Sequence, residues 1–322
     1  MPGKTLLVVG SPTAPYLRLL DQLPKELNIA VGDRLEAFNN LAEEADVVLY
    51  TMMSPLALKN VWPMTKNVKW VHSMSAGLDT MLFPELVDSP AILTNARGIY
   101  KESLGEFGML SILYFAKDIP RMRRNQREHK WGQFDVDMVS RQTLGIIGYG
   151  EIGHSVARRA HAMGMRIMAT RRRPELNDGD PYVTKSFHID DRAQMMSECD
   201  FVLVCSALTP ETFHLVGAKE LRAMKPSGVI INLGRGPIID EEALAQALTE
   251  KWLRGAALDV FEKEPLPESS PLWDMDNVLI SPHCADHTST WMDESMQFFI
   301  DNFHRYAKGE PLQNVVDKKS GY

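Results

Sequence analysis

Residues 143–153 read T-L-G-I-I-G-Y-G-E-I-G, and no other stretch constrains the fold of this chain as strongly. Leu144 to Ile147 form a short apolar run suited to a strand buried on both faces. Gly148, Gly150 and Gly153 follow in G-x-G-x-x-G spacing, and a helical pattern opens at Glu151 and runs through Val156, Ala160 and Met163. In such a turn the first glycine permits the tight bend, the second lets backbone approach a pyrophosphate, and the third lets helix and strand pack closely. The N–H groups and positive dipole end of the new helix then face the anion. The spacing alone is weak evidence, because glycine-rich turns are common. Here it has its context: a strand before, a helix after, and a second apolar strand at 166–170 following Gly164. The stretch predicts dinucleotide binding at Gly148, Tyr149, Gly150, Glu151, Ile152 and Gly153.

A chain of 322 residues exceeds one ordinary domain, so two are expected. The formal net charge of −7 argues against a general binder of nucleic acid or anionic membranes. The basic run from Arg121 to Lys130 departs from that average and reads as a solvated helix end or an oligomer arm. No stretch approaches the roughly 20 apolar residues of a membrane span. The apolar start is interrupted by Ser11 and Pro12, and reads as a first strand rather than a signal peptide. Cys199, Cys205 and Cys284 show no metal-ligand spacing and suit a reducing compartment, so a cytoplasmic protein without a metal is expected.

Residues 1–100 alternate short strand-like pieces (5–9, 47–50, 69–73, 91–94) with helical ones (16–23, 35–44), which predicts a parallel sheet covered by helices. A long helical pattern from Lys101 carries Leu104, Phe107, Leu110, Ile112 and Phe115, with Ser103, Gly105 and Gly108 small enough for close packing. Later strands are expected at 201–205, 229–232, 256–259 and 278–280, and a last helix at about 288–307 returns to the first domain. The fold class expected is α/β, with two Rossmann-like or flavodoxin-like domains, parallel sheets and an active-site cleft between them. The boundaries read are 1–100 plus 291–322 for the substrate domain and 101–290 for the dinucleotide domain.

Three late strands are followed by polar residues: N-L-G-R-G-P with Arg235, A-L-D-V-F-E-K-E-P-L with Asp259 and Glu264, and S-P-H with His283. Ligands of open α/β sheets bind beyond the carboxyl ends of the strands, so these side chains are expected on one rim. Arginine can hold a carboxylate bidentately, histidine can pass a proton near neutral pH, and a carboxylate can orient and charge that histidine. Taken singly, each has a plainer reading as a surface cation, a turn residue or a cap. Their order on consecutive strands behind a nucleotide loop favours a catalytic set. His154, His161, His188, His214 and His304 lack such context and are read as structural, while His287 could line the pocket.

With these residues in view, the chain resembles the D-isomer-specific 2-hydroxyacid dehydrogenase family over nearly its whole length. The likeness rests on G-Y-G-E-I-G, N-L-G-R-G-P-I-I-D-E-E-A-L, G-A-A-L-D-V-F-E-K-E-P-L-P and S-P-H, in that order. The resemblance implies that Arg235 binds the substrate's carboxylate and carbonyl oxygen, that His283 is the acid/base, and that Glu264 hydrogen-bonds His283. It implies a place for Asp259 near the nicotinamide, and for Ser75, Ala76 and Gly77 in a loop that cups the substrate carboxylate. Ser206, Leu233 and Gly234 fall at strand ends on the cofactor side. The chain departs from the common pattern after His283, where Cys284-Ala285-Asp286-His287 stands in place of a small residue and glycine. A small 2-oxo or 2-hydroxy acid is the expected partner, and a homodimer through the nucleotide domains is implied, with residues 121–140 as the arm. Trp131 and Phe134 in that stretch could reach the partner's cleft, and ordinary core packing is the plainer reading of each. A nucleotide-sensing binding protein on the same scaffold and a formate- or phosphite-oxidising enzyme are the competing readings.

Two finer expectations concern specificity. NAD-type folds carry Asp or Glu at the end of the second strand, about 20 residues after the glycine loop. Here the strand ends Thr170-Arg171-Arg172-Arg173-Pro174, and Arg171 lies 18 residues after Gly153. Arginine can grip a 2′-phosphate that a carboxylate would repel, so NADP(H) is expected in preference to NAD(H), through Arg171 and Arg172. Met52, Met53, Met74, Tyr100 and Met292 fall at segments expected to face the substrate, with Met52 and Tyr100 in contact with it. An apolar, adaptable wall of this kind would admit 2-oxo acids with apolar side chains.

Overall fold

The computed structural model describes residues 4–51, 54–79 and 81–321. The chain divides into two compact units, Met1–Tyr100 with Thr288–Tyr322, and Lys101–His287.

The first unit holds strands β1 (Thr5–Val9), β2 (Asn28–Gly32), β3 (Val47–Tyr50), β4 (Trp70–Ser73) and β5 (Ile92–Asn95), all parallel in the order β2-β1-β3-β4-β5. That is the flavodoxin-like order. Runs such as T-L-L-V-V are buried at every position, as a sheet covered on both faces requires. One face packs Tyr16, Trp70, Met74, Phe299 and Phe303, and the other Phe38, Leu58, Val61 and Leu86. The helices of this unit's first segment are α1 (Leu58–Val61) and α2 (Pro84–Asp88), both short. The helix expected at 16–23 is a 3-10 helix, Pro15–Gln22, and that at 35–44 is two 3-10 turns, Leu35–Phe38 and Ala42–Glu44, separated by Asn39, Asn40 and Leu41. Asparagine lowers helix propensity, and the pair falls where a continuous helix would need its middle.

The second unit opens with α3 (Lys101–Ala116) and α4 (Ile119–Arg127). Its strands are β6 (Thr143–Ile147), β7 (Arg166–Arg171), β8 (Val183–His188), β9 (Phe201–Val204), β10 (Val229–Asn232), β11 (Gly255–Leu258) and β12 (Val278–Ile280), and its later helices α5 (Glu151–Ala162), α6 (Arg192–Glu198), α7 (Ala218–Ala223) and α8 (Glu241–Thr249). The sheet runs β12-β11-β10-β9-β6-β7-β8, the Rossmann order with one strand added, so the order reverses between β6 and β9. A Cβ on Gly105 would stand 2.5 Å from Ser155 Oγ, and one on Gly108 2.8 Å from Val156 Cγ2, so the small residues of α3 let it lie directly on α5. Trp131 corrects an expectation: it is 96% exposed rather than packed in a core, while Phe134 lies beneath the Arg121 guanidinium at 4.3 Å. The last helix, α9 (Trp291–Lys308), belongs to the first unit and lays Met296, Phe299, Ile300 and Phe303 into its core. Among the described residues no helix is long and apolar enough to cross a membrane.

One buried polar cluster in the first unit makes a testable demand. His72 is wholly buried beside Trp70, Phe298 and Phe299, and Thr94 Oγ1 lies 2.7 Å from its Nδ1 while accepting from Trp70 Nε1 at 2.8 Å. Burial lowers its pKa to about 3, so the folded chain holds a neutral imidazole. The unfolded chain takes a proton below about pH 6.5. Folding therefore keeps its full advantage above about pH 6.5 and loses it progressively as the pH falls toward 3. Between pH 7 and 5 that loss amounts to about 2 kcal/mol. Replacing His72 with Asn removes the titration, so urea denaturation at the two pH values is expected to show a smaller drop in the variant by that amount. Parallel losses in parent and variant would contradict the assignment.

Candidate functional site

Strands β10, β11 and β12 are neighbours and run parallel, with Asn232 beside Leu258 and Leu258 beside Ile280, so the loops that follow leave the sheet from one edge. The loop after β12 is built onto Asp259. This side chain is 2% exposed, and its Oδ1 accepts from Ser281 Oγ at 2.5 Å, Cys284 N–H at 3.0 Å and Ala285 N–H at 3.1 Å. Its backbone carbonyl accepts from the His283 N–H at 2.8 Å. Ser103, on α3, adds a bond from Oγ to the Ala285 carbonyl at 2.6 Å. His283 is thus held from both sides, in a left-handed backbone conformation with φ of 51°. Its Nδ1 lies 2.7 Å from Glu264 Oε2, and Glu264 Oε1 accepts from the Phe261 N–H at 3.0 Å. The Arg235 loop is pressed against the same segment: a Cβ on Gly236 would lie 1.8 Å from the Phe261 carbonyl carbon, so glycine is the residue that fits. Asn232 Nδ2 donates to the Arg235 carbonyl at 3.1 Å, and the guanidinium reaches the Gly234 carbonyl at 3.0 Å.

The glycine loop follows β6, at the point where strand order reverses. Gly148 has φ of 91°, and a Cβ there would stand 2.5 Å from Ser206 N, at the end of β9. On the other side of Ser206, a Cβ on Gly234 would lie 2.9 Å from its carbonyl oxygen. A Cβ on Gly150 would meet nothing within 4 Å, and no side chain caps the first turn of α5, which Gly150 precedes. The hydroxyls of Thr170 and Ser206 are buried and have no hydrogen-bond partner among the described residues. Open backbone N–H groups at a helix start, next to a glycine with space before it, fit the pyrophosphate of a dinucleotide. Arg171, at the end of β7, donates to the Tyr149 carbonyl, and its guanidinium stands 5.7 Å from that ring. Tyr149 donates its hydroxyl to Asp180 Oδ1 at 3.1 Å. Glu151 pairs with Lys101 at 2.8 Å, Arg172 is exposed, Ile152 is half-buried, and Leu233 is buried.

In the first unit, Asn95 Nδ2 donates to the Ala76 carbonyl at 2.6 Å and the Ser75 N–H to Ser73 Oγ at 3.1 Å, which holds the Ser75–Ala76–Gly77 turn at the end of β4. Tyr100 is buried and donates its hydroxyl to the Met74 carbonyl at 2.6 Å. Met74 is fully buried in the core, so it does not contribute to the apolar wall expected from sequence. Met292 packs against the same core, and Met52 and Met53 lie outside the described residues.

A sequence profile of the NAD binding domain of D-isomer specific 2-hydroxyacid dehydrogenases matches residues 109–285, more than half of the chain. The chain belongs to this family. Among the relatives of this dehydrogenase, a glyoxylate reductase of Korarchaeum cryptofilum is 31% identical over 288 residues, 86% of this chain and 84% of the relative. A glyoxylate/hydroxypyruvate reductase B of Pectobacterium carotovorum is 33% identical over 257 residues, covering 78% and 79%. A D-isomer specific 2-hydroxyacid dehydrogenase of Xanthobacter autotrophicus, solved with NADPH and MES, superposes with a TM-score of 0.84 at 28% identity over the whole of both chains. The protein is therefore an oxidoreductase with a nicotinamide-binding domain.

The electrostatics of the dehydrogenase separate two roles. The hydrogen bond that His283 donates to Glu264 raises the pKa of His283, against the effects of burial and of the Arg235 charge, with the Glu264 and Asp259 charges adding to the rise. Burial pushes Glu264 up, but the bond to His283, the Phe261 N–H and the charges of His283 and Arg235 outweigh it, so its carboxyl stays below the ordinary range. The pair accordingly favours imidazolium beside carboxylate. The supports of this pair, Asp259 through the His283 loop and Ser103 through Ala285, were not read from sequence, because their bonds join residues 22 to 182 positions apart. Replacing Glu264 with Gln removes the charge, so the His283 ring, followed by its carbon-13 NMR signal, is expected to titrate at lower pH than in the parent. An unchanged midpoint would refute the coupling.

Proposed function

We propose that this dehydrogenase reduces small 2-oxo acids, glyoxylate and hydroxypyruvate among them, to D-2-hydroxy acids, with NADPH preferred to NADH and His283 as the acid. The observation that carries the reading is the 2.7 Å bond between His283 Nδ1 and Glu264 Oε2, beside the Arg235 loop. Among the described residues His283 Nε2 has no hydrogen-bond partner and the side chain is 41% exposed, so a proton on Nε2 faces outward from the pair. A bound reduced nicotinamide supplies the hydride. Arg235 binds the carboxylate and polarises the carbonyl oxygen, which gains charge as the bond to carbon forms. His283 then gives its Nε2 proton to that oxygen, while Glu264 holds the ring in orientation and favours its charged form. In the oxidative direction the same nitrogen takes the proton back. Ser75, Ala76 and Gly77 are assigned to the substrate carboxylate by family likeness, supported by the fixed turn at the end of β4. Residues 121–140, with Trp131 exposed, are assigned to a homodimer contact.

The test is to follow absorbance of the reduced cofactor with glyoxylate, hydroxypyruvate and bulkier 2-oxo acids. The parent is expected to turn over at least one, and His283→Ala to lose roughly 10²–10⁴ of that rate, the usual scale for a positioned acid. Full activity in the variant, or no turnover of any 2-oxo acid, would overturn the reading.

Cofactor choice rests on the strand end at Thr170-Arg171-Arg172, where no carboxylate stands to accept from a ribose 2′-hydroxyl. The Arg171 guanidinium lies against the glycine loop, and Arg172 is exposed beside it. One charge-assisted bond to a 2′-phosphate contributes about 1.5–3 kcal/mol, or roughly tenfold or more in favour of NADPH. Comparing kcat/KM for the two cofactors in the parent and in Arg171→Ala/Arg172→Ala is expected to show that preference and its loss. Equal use of NADH by the parent would refute it.

A further inference from the structure

His214, read from sequence as structural, sits in a cluster that reaches both halves of the catalytic set. The residues around it run beside the Arg235 loop: the His214 N–H donates to the Pro237 carbonyl at 2.8 Å, the Val216 N–H to the Ile238 carbonyl at 3.1 Å, and the Asp240 N–H to the Val216 carbonyl at 3.0 Å. The ring turns the other way. Its Nε2 lies 2.6 Å from Glu262 Oε1, its Nδ1 3.9 Å from Asp240 Oδ2, and Phe213 stacks on its face at 4.0 Å. Glu262 is itself locked to the start of α8 by a reciprocal pair, its Oε1 accepting from the Glu241 N–H at 3.1 Å and its N–H donating to Glu241 Oε2 at 3.0 Å. Between Phe261, which donates to Glu264, and Glu264 itself, Glu262 is the residue whose side chain ties the segment to a neighbouring loop.

We propose that His214 is a positioning residue: by hydrogen-bonding Glu262 it fixes residues 261–264 against the Arg235 loop, and so sets where Glu264 meets His283. The inference rests on the role of His283 proposed above. His214 is held in a left-handed conformation with φ of 49°, a backbone state in which histidine is enriched over most residues. Its cluster of one imidazole and two carboxylates also has the donor types of a metal site. Two ligands roughly 2.1 Å from one ion at a tetrahedral angle stand roughly 3.4 Å apart, however. A separation of 2.6 Å is that of a proton shared between nitrogen and oxygen.

A hydrogen bond to a charged group contributes about 1.5 kcal/mol or more, so its loss amounts to roughly tenfold where the geometry it maintains is needed for the rate. In His214→Ala, kcat/KM for 2-oxo acid reduction is expected to fall roughly tenfold. The cofactor's dissociation constant, measured by fluorescence, is expected to stay the same. The discriminating readout is the His283 titration, which Glu264, Arg235, Asp259 and Asp286 influence directly and His214 does not contact. Its midpoint in His214→Ala is expected to move down toward that of Glu264→Gln, because a displaced carboxylate no longer favours the imidazolium. His214→Gln, whose amide nitrogen falls near the position of Nε2, is expected to restore most of both. Glu262→Gln repeats the test from the other side if His214→Ala fails to fold. An unchanged His283 midpoint in both His214→Ala and Glu262→Gln overturns the proposal, even if activity falls. Should the parent reduce no 2-oxo acid, the function proposed above fails, while the NMR midpoint still decides the role of His214.

Discussion

A single buried carboxylate fixes the loop that carries His283 in the second unit. Asp259 ends β11 with one oxygen accepting three hydrogen bonds from the loop that follows β12. A carboxylate hidden to this degree is costly unless it accepts hydrogen bonds, and here one oxygen accepts from two backbone N–H groups and a serine hydroxyl. Those donors would otherwise be orphans in a loop that forms no regular structure. The exchange is local and mutual: the loop satisfies Asp259, and Asp259 gives the loop one shape. His283 lies within that shape, so its ring can meet Glu264 without searching for a rotamer or a backbone position. The charged state of His283 is thus favoured by Glu264, while the position of its ring is set by Asp259.

The sheet order explains why these residues meet at all. β10, β11 and β12 are hydrogen-bonded neighbours, all parallel, and each ends in residues that the strand itself does not need. The next strands inward, β9 and β6, flank the reversal of strand order, and their ends carry Ser206 and Gly148 in direct contact. Five adjacent strand ends therefore form one continuous edge, with the glycine loop towards one end and the His283–Glu264 pair at the other. The spacing is a consequence of strands separated by roughly 4.8 Å, not of any special loop. Close approach does the rest: Gly148, Gly234 and Gly236 occupy positions where a methyl group would overlap a neighbouring backbone.

Much of this was legible in the sequence because it is written in local patterns. The glycine spacing, the short fully apolar strands and the polar residues just past them each depend on neighbours within about ten positions, and the α/β class and the meeting of Arg235, Glu264 and His283 on one edge follow from them. The edge strands β2 and β8 escaped notice because N-I-A-V-G and V-T-K-S-F-H mix exposed and buried positions, as edge strands do. Trp131 was misjudged for a related reason: an aromatic residue reads as core unless the surrounding chain is seen to run over the surface. Met74 was assigned to a substrate wall by its position after a strand, but the same position points it into the aromatic core around Trp70. What sequence could not carry is the long-range polar bonding, such as His72 to Thr94, Ser103 to Ala285 and His214 to Glu262, because a hydrogen bond between distant residues leaves no periodic trace.

The proposed reaction is hydride transfer to the carbon beside a carboxylate, completed by a proton from His283. The most direct measurement is isotopic. Hydroxypyruvate is incubated with the enzyme and NADPH deuterated at C4, each face in turn, and the glycerate formed is analysed for configuration and for label at C2. The account predicts D-glycerate carrying one deuterium at C2 from one of the two labelled cofactors. Oxidation of the cofactor without deuterium at C2 of the product from either label, or formation of the L isomer, would contradict it.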